Sequence, residues 1–184
     1  MYIRNPFLQR TSISMSFIRY ILQYPNRFRH RLGFGVQSPW AYQFVRDALF
    51  EKSRYYAFDH LQGSRADEQL FRIIQWLSPS QVDEHAASDI THQYITLANV
   101  SASPSAFHLH YFGADAQTEL SELLHEKNTD FSSQDCLVID GIHSTHRSVW
   151  EQLLQHPQVT STFSLRKRGI AFFDPARQRQ NYLL

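Results

Sequence analysis

The spacing of apolar positions divides this chain into separate stretches. Ile13, Phe17, Ile21 and Tyr24 recur at helical spacing over residues 12–24, which predicts a short amphipathic helix stopped by Pro25. Gly33 and Gly35 then permit a tight loop. Ser38 followed by Pro39 supplies an N-cap and a first-turn residue for a helix to about Glu51, with Tyr42, Val45 and Leu49 on its apolar face. Residues 66–77 predict another amphipathic helix, with Leu70, Ile73, Ile74 and Leu77 inward and Ser78-Pro79 at its end.

After Pro79, short apolar runs alternate with helical ones. Residues 91–100 fit helix or strand equally well by periodicity, and residues 107–112 (FHLHYF) alternate like a strand. Residues 115–127 predict a helix with Leu120, Leu123 and Leu124 inward, and the acids toward its start suit the helix dipole. The wholly apolar run CLVI at 136–139 has the character of a parallel strand buried on both faces. Ser144 or Thr145 is then placed to cap a helix through Gln155, which His156-Pro157 ends. Residues 159–165 and 169–173 are two β runs joined by Arg166-Lys167-Arg168, an antiparallel hairpin. This alternation predicts an α/β fold with a mainly parallel sheet, a C-terminal antiparallel hairpin and an N-terminal helical extension.

Composition narrows the class. A chain of 184 residues with 42% hydrophobic and 14% aromatic residues suits one globular unit, and no run of roughly 18 or more apolar residues offers a membrane span. The expected division is a basic helical extension over residues 1–64, packed on an α/β core over 65–184. The single cysteine, Cys136, falls in the predicted buried strand, where a thiol is inert packing. Trp40, Trp76 and Trp150 read as core residues rather than a stacking platform for bases.

Charge is segregated along the chain. Residues 1–46 hold seven arginines and no acid, whereas residues 47–165 hold six basic and sixteen acidic residues, a net of −10. The arginines are scattered among apolar residues, so pairing with the acidic body is the plainer expectation. An anionic partner of the basic N-terminus is the alternative, and nucleic acid is not the expected one. The sequence carries no small-residue cleavage site after an apolar core, so a cytoplasmic location is expected.

In open α/β sheets, ligands bind beyond the carboxyl ends of the strands, and Asp140-Gly141-Ile142-His143 directly follows CLVI. Asp140 is a candidate hydrogen-bond acceptor or metal ligand and His143 a candidate base; the plainer reading is a strand-to-helix turn. His108 and His110 share one face of their predicted strand, and His143 and His146 lie three apart. No HExxH or comparable ligand spacing accompanies them, so no metal site is expected. The chain also lacks a GxSxG elbow.

Several segments together resemble bacterial class I S-adenosylmethionine-dependent methyltransferases with a Rossmann-like fold. They are HRLGFGVQSPWAYQFV at 30–45, EKSRYYAF at 51–58, LFRIIQWLSPSQV at 70–82 and WEQLLQHPQVTSTFSLRKRGIAFF at 150–173. Asp140-Gly141-Ile142-His143 resembles the Asp-Asp-Ile-His that follows the fifth strand in that family. The resemblance implies methyl transfer from S-adenosylmethionine to a small-molecule or protein oxygen. Glu84, Ala86 and Ser88 would then lie at the cofactor turn, and Asp140 and His143 beside the acceptor.

The chain departs from this pattern where the family's first strand ends in an acid and a Gly-rich turn. Here the segment reads Val82-Asp83-Glu84-His85-Ala86-Ala87-Ser88-Asp89. Glu84 matches the acid, but Ala86 stands in place of the first glycine and the second has no counterpart. The whole stretch from Ser64 to Phe112 holds no glycine. Asp83 places a charge within a strand expected to be buried, which is costly unless it is paired. A strand-helix unit expected before the fifth strand is either eroded into residues 107–127 or missing altogether. The chain therefore reads as a shortened, degenerate member, and the alternative function is a non-catalytic binding or regulatory protein on that fold.

Overall fold

The computed structural model describes residues 38–98, 105–126 and 131–184. The helix expected over residues 12–24, the glycine pair at 33 and 35 and most of the basic extension lie outside them.

Helix α1 (Pro39–Phe44) starts where the Ser-Pro pair predicts, with Ser38 Oγ accepting from the Ala41 N–H at 3.4 Å. It continues as one wide turn over Val45–Leu49, in which the Phe50 N–H donates to the Val45 carbonyl at 3.0 Å. The buried stripe is Ala41, Phe44, Val45, Ala48 and Leu49. Val45 and Leu49 therefore face inward as expected, but Tyr42 is exposed. Phe44 takes the central place, stacked on Trp40 and edge-on to Phe163 and Phe172.

A single turn, α2 (Ala57–His60), leads to α3 (Arg65–Leu77). Leu70, Ile73, Ile74 and Leu77 are all buried, as their spacing predicts. A reciprocal cap fixes the start of α3: Ser64 Oγ accepts from the Asp67 N–H, and Asp67 Oδ2 accepts from the Ser64 N–H at 2.8 Å. Ser78 ends the helix at φ +46°, its N–H bonded to the Ile74 carbonyl at 2.7 Å.

Next come β1 (Gln81–His85), α4 (Asp89–Ala98), β2 (His108–Phe112), α5 (Gln117–Glu126) and β3 (Asp135–Asp140). The chain ends with α6 (Arg147–Gln155), β4 (Ser161–Ser164), β5 (Arg168–Phe172) and β6 (Gln180–Leu183). The ambiguous run at 91–100 is helical: Thr91, Tyr94, Ile95 and Ala98 are its buried residues, spaced three, four and seven apart from the first. Neither Ser144 nor Thr145 caps α6. Residues 142–146 form turns instead, and His146 takes the cap position without a capping hydrogen bond.

The six strands lie in the order β1-β2-β3-β5-β4-β6. β1, β2 and β3 are parallel neighbours, β5 runs antiparallel to both β3 and β4, and β6 is parallel to β4. The predicted hairpin is present, while β3, buried along Asp135–Ile139, is parallel on one flank only. β6 has no counterpart among the sequence expectations, because its QNYL run is short and half polar; Tyr182 and Leu184 nevertheless enter the core.

Each sheet face carries its own apolar cluster. The first joins α1, α3 and α4 to Leu109, Tyr111, Cys136 and Val138, and the second joins α5 and α6 to Phe112, Leu137 and Ile139. Among the described residues, β1 contributes nothing to the second cluster and is one edge of the sheet. This explains how Asp83 is tolerated, since its carboxylate is part-exposed and accepts hydrogen bonds from Gln81 and His108, both at 2.8 Å.

The layering contains an anomaly. The steps β1→β2 and β2→β3 move the same way across the sheet, yet α4 packs on one face and α5 on the other. Successive parallel crossovers of one hand must share a face when they step in one direction. One of these two is therefore left-handed, whereas about 98% of such connections are right-handed.

The hairpin is set by a close approach at Gly169. A Cβ there would lie 2.6 Å from Cζ3 of the buried Trp150 ring, whose Nε1–H donates to Ser164 Oγ at 3.2 Å. Gly169→Ala is expected to destabilise the fold by about 1–3 kcal/mol through overpacking. A urea midpoint equal to that of the unsubstituted chain would show that the ring has room to move.

Candidate functional site

A cleft of about 620 Å³ opens beyond the carboxyl ends of β1, β2 and β3. Its floor includes Asp140 and Gly141 after β3, with Ala114 after β2 and Ser88 after β1. Ser64, Ala66 and Asp67 from the start of α3 form one wall, and exposed Arg166 and Lys167 of the hairpin turn lie at the rim with His143 and Ser144. This is where open α/β sheets hold ligands, and the volume suits a small molecule. Three of the five residues singled out from the sequence, Ser88, Asp140 and His143, line it.

Asp140 does not present a free carboxylate to this cleft. Arg168, its register partner on β5, donates from Nε to Oδ1 at 2.7 Å and from NH2 to Oδ2 at 2.8 Å. The Tyr111 hydroxyl donates to Oδ2 at 2.9 Å, and Arg168 NH1 reaches across to the Ala66 carbonyl at 2.7 Å. The guanidinium is 2% exposed. Burial is the largest single influence on its pKa and lowers it, but the charge and hydrogen bonds of Asp140, together with Tyr111 and Asp67, outweigh that and raise it. Burial, then the Asp140 charge, push the Tyr111 phenol well above its ordinary value. Both oxygens of Asp140 are therefore taken by internal partners, which are the side chains of Arg168 and Tyr111 rather than the backbone N–H groups of a capped turn.

Gly141 adopts φ +76°, a conformation that glycine enters freely and other residues enter under strain. Its N–H donates to the Lys167 carbonyl at 2.7 Å, and its own carbonyl accepts from the Ser144 and His146 N–H groups. His146 is fully buried beneath the turn, with Nδ1 donating to the Asp140 carbonyl at 2.6 Å. An Asp at position 141, as the resembled motif has, would be strained by this backbone and would crowd Thr145 Oγ1.

At the end of β1, the Glu84 carboxylate accepts from His92 Nδ1 at 2.9 Å, and neither Glu84 nor Ala86 lines the cleft. Ala86 nonetheless has φ +49°, so the backbone keeps a left-handed turn with an alanine in it. The Ala86 carbonyl is in close approach to Gly113, whose N–H bonds the His85 carbonyl at 2.9 Å. Ser88 caps α4. The Thr91 hydroxyl donates its proton to Asp67 Oδ1, so the 2.8 Å contact between the hydroxyls has Ser88 donating to Thr91.

Sequence reasoning missed Arg168, Tyr111, Asp67 and His146 as partners of the site. The local pattern puts Arg168 in the hairpin turn, and only the β3–β5 register brings it opposite Asp140. The S-x-x-D pattern at Ser64–Asp67 is the one signal that was available, as a variant of the capping box. No family model matches the chain, and neither the curated proteins nor the solved structures contain a significant match to it.

Arg168 is buried and Asp140 half-buried, so removing either partner strands the other. Arg168→Met is expected to cost about 3–5 kcal/mol of stability in urea unfolding. Asp140→Asn should be destabilising as well, and the double variant should lose less than the sum of the singles. Additive losses would mean that the two side chains do not act as a unit.

Proposed function

We propose that this chain is a shortened methyltransferase-like protein that has given up methyl transfer and acts as a binding module, with the cleft at the carboxyl ends of β1–β3 as its ligand site. The reading rests chiefly on Asp140. The carboxylate that would stand beside a methyl acceptor is neutralised by a buried guanidinium and a phenol, so it is not available as a base or an acceptor contact.

The opposed faces of α4 and α5 support descent from a longer, Rossmann-like sheet. A right-handed β1–α4 unit with α4 on the face opposite α5 delivers its next strand to the far flank of β1. That flank is empty among the described residues, because β1 is the edge. Loss of the strands beyond it would leave α4 connected directly to β2 with the wrong hand. It would also remove the reversal of strand order at which doubly wound sheets form their nucleotide crevice.

On this reading the residues present do not make a site for S-adenosylmethionine. Glu84 is engaged with His92 at a sheet edge, Ala86 brings a Cβ to the turn, and Gly113 is occupied by contact with the same turn. The methyltransferase reading has one observation in its favour, the left-handed backbone kept at Ala86. That conformation is what a glycine turn needs, and it is retained here without the glycine.

Calorimetric titration of S-adenosylmethionine into the full chain separates the two. No heat and no shift in melting temperature are expected up to millimolar ligand. Micromolar binding that is abolished by Ser88→Trp in the cleft would restore the enzyme.

A further inference from the structure

At the opposite, amino-terminal end of the same strands, four side chains with metal-ligating atoms meet on one sheet face. Register places Asp83 of β1 directly beside His110 of β2, and His108 of β2 directly beside Asp135 of β3. Strand side chains alternate between faces, so Asp83, His108, His110 and Asp135 all lie on the face of the second cluster. That cluster has no residue from β1, which leaves the group partly open along the sheet edge.

The arrangement has two sides. On one, Asp83 Oδ2 lies 2.8 Å from His108 Nε2 and 3.5 Å from His110 Nδ1, and the ligand atoms of the three residues lie within 4.8 Å of one another. Zinc bonds of about 2.0–2.2 Å to imidazole and carboxylate imply ligand-to-ligand separations of roughly 3.3–3.5 Å in a tetrahedron. Two of the observed separations bracket that range. On the other side, Asp135 Oδ1 lies 3.9 Å from the remaining nitrogen of each ring, His108 Nδ1 and His110 Nε2.

His110 is the decisive residue. Its ring is 4% exposed, packed 4.1 Å from the ring of His108, and its Nε2 has no hydrogen-bond partner. A buried imidazole nitrogen left unbonded is costly, and at 3.9 Å the Asp135 carboxylate is too far to bond it without a reason to approach. Metal binding at Nδ1 supplies that reason. It fixes the proton on Nε2, which then donates to Asp135 after a small approach, and the same holds for His108 Nδ1. A carboxylate behind two metal-bound imidazoles is the arrangement that orients such ligands and raises their basicity.

We propose that Asp83, His108 and His110 form a binding site for a borderline divalent ion of the Zn²⁺ type, with Asp135 positioning both imidazoles and the fourth coordination place open toward the edge of β1. Two neutral nitrogens and one carboxylate favour Zn²⁺, Co²⁺ or Ni²⁺ over Mg²⁺ or Ca²⁺, which take oxygen-rich shells. The site is independent of the cleft and of any methyl transfer there.

The test uses the full chain, stripped with a chelator and returned to chelator-free buffer. Zn²⁺ alone is titrated against a chromophoric competitor, and Co²⁺ is followed by its visible absorption. One equivalent bound at micromolar or tighter affinity is expected, with the intense bands of low-coordinate Co²⁺. His108→Ala and Asp83→Asn, both at part-exposed positions, should lower the affinity at least a hundredfold. Asp135→Asn should weaken it by about 10–100-fold while leaving one equivalent bound. His60→Ala, at an exposed histidine outside the cluster, should leave it unchanged. Circular dichroism checks folding, and should His108→Ala not fold, Asp83→Asn decides the result. Absence of binding at millimolar Zn²⁺, or an affinity indifferent to the cluster variants, overturns the proposal.

Discussion

The ion pair between Arg168 and Asp140 is the interaction on which the rest of the molecule turns. It closes the last register position of the β3–β5 ladder, at the place where the sheet changes from parallel to antiparallel pairing. Through Tyr111 it reaches β2, and through the Ala66 carbonyl it reaches the first turn of α3. A bidentate guanidinium–carboxylate pair is directional as well as strong, so it fixes orientation where apolar packing alone would tolerate sliding. A buried pair of this kind adds little compared with apolar side chains of equal volume, but neither half can be spared once the other is buried. The fold has thus made a structural element of the carboxylate best placed for chemistry.

The same trade governs the turns around the cleft. Gly141 keeps a positive φ that binds Lys167 on one side and closes the 141–146 turn on the other, so the loop after β3 is organised inward. Ser88, Thr91 and Asp67 form a chain of hydroxyl and carboxylate bonds between the starts of α3 and α4. Each polar group of this set is satisfied by a neighbour, as buried or part-buried groups require. What remains for a ligand is the rim, where Arg166 and Lys167 are exposed beside His143.

Much of this could be read from the sequence, and the failures have physical causes. Helix α3 and strand β3 were legible because their stripes are long or wholly apolar, so periodicity and run length were unambiguous. The shift of the buried stripe from Tyr42 to Phe44 was not legible, because an aromatic lies at each candidate position and tertiary stacking chooses between them. β6 escaped because half of its four residues are polar and only pairing with β4 makes it a strand. Asp140 and His143 lie at the end of β3 beside a cleft, yet the role of Asp140 depends on a residue 28 positions away, and pairwise register is invisible to local pattern. Asp83 looked anomalous for the same reason. Its cost falls once β1 is known to be an edge.

That edge also connects the two ends of the sheet. A strand that is central in a doubly wound sheet must be apolar on both faces, because helices cover both. When the strands beyond β1 are absent, its outer rows no longer lie against a neighbour, and the selection against charge there relaxes. β1 is accordingly the strand that carries Asp83, Glu84 and His85, all part-exposed, with His85 stacked on Phe112 and burial holding its pKa below the ordinary histidine value. On the proposed descent, the loss that would remove a nucleotide crevice at the carboxyl end would also be the change that permits ionisable residues along β1. With His108 and His110 already alternating on the neighbouring strand, one acceptable carboxylate on the edge is enough to assemble a polar cluster at the amino end.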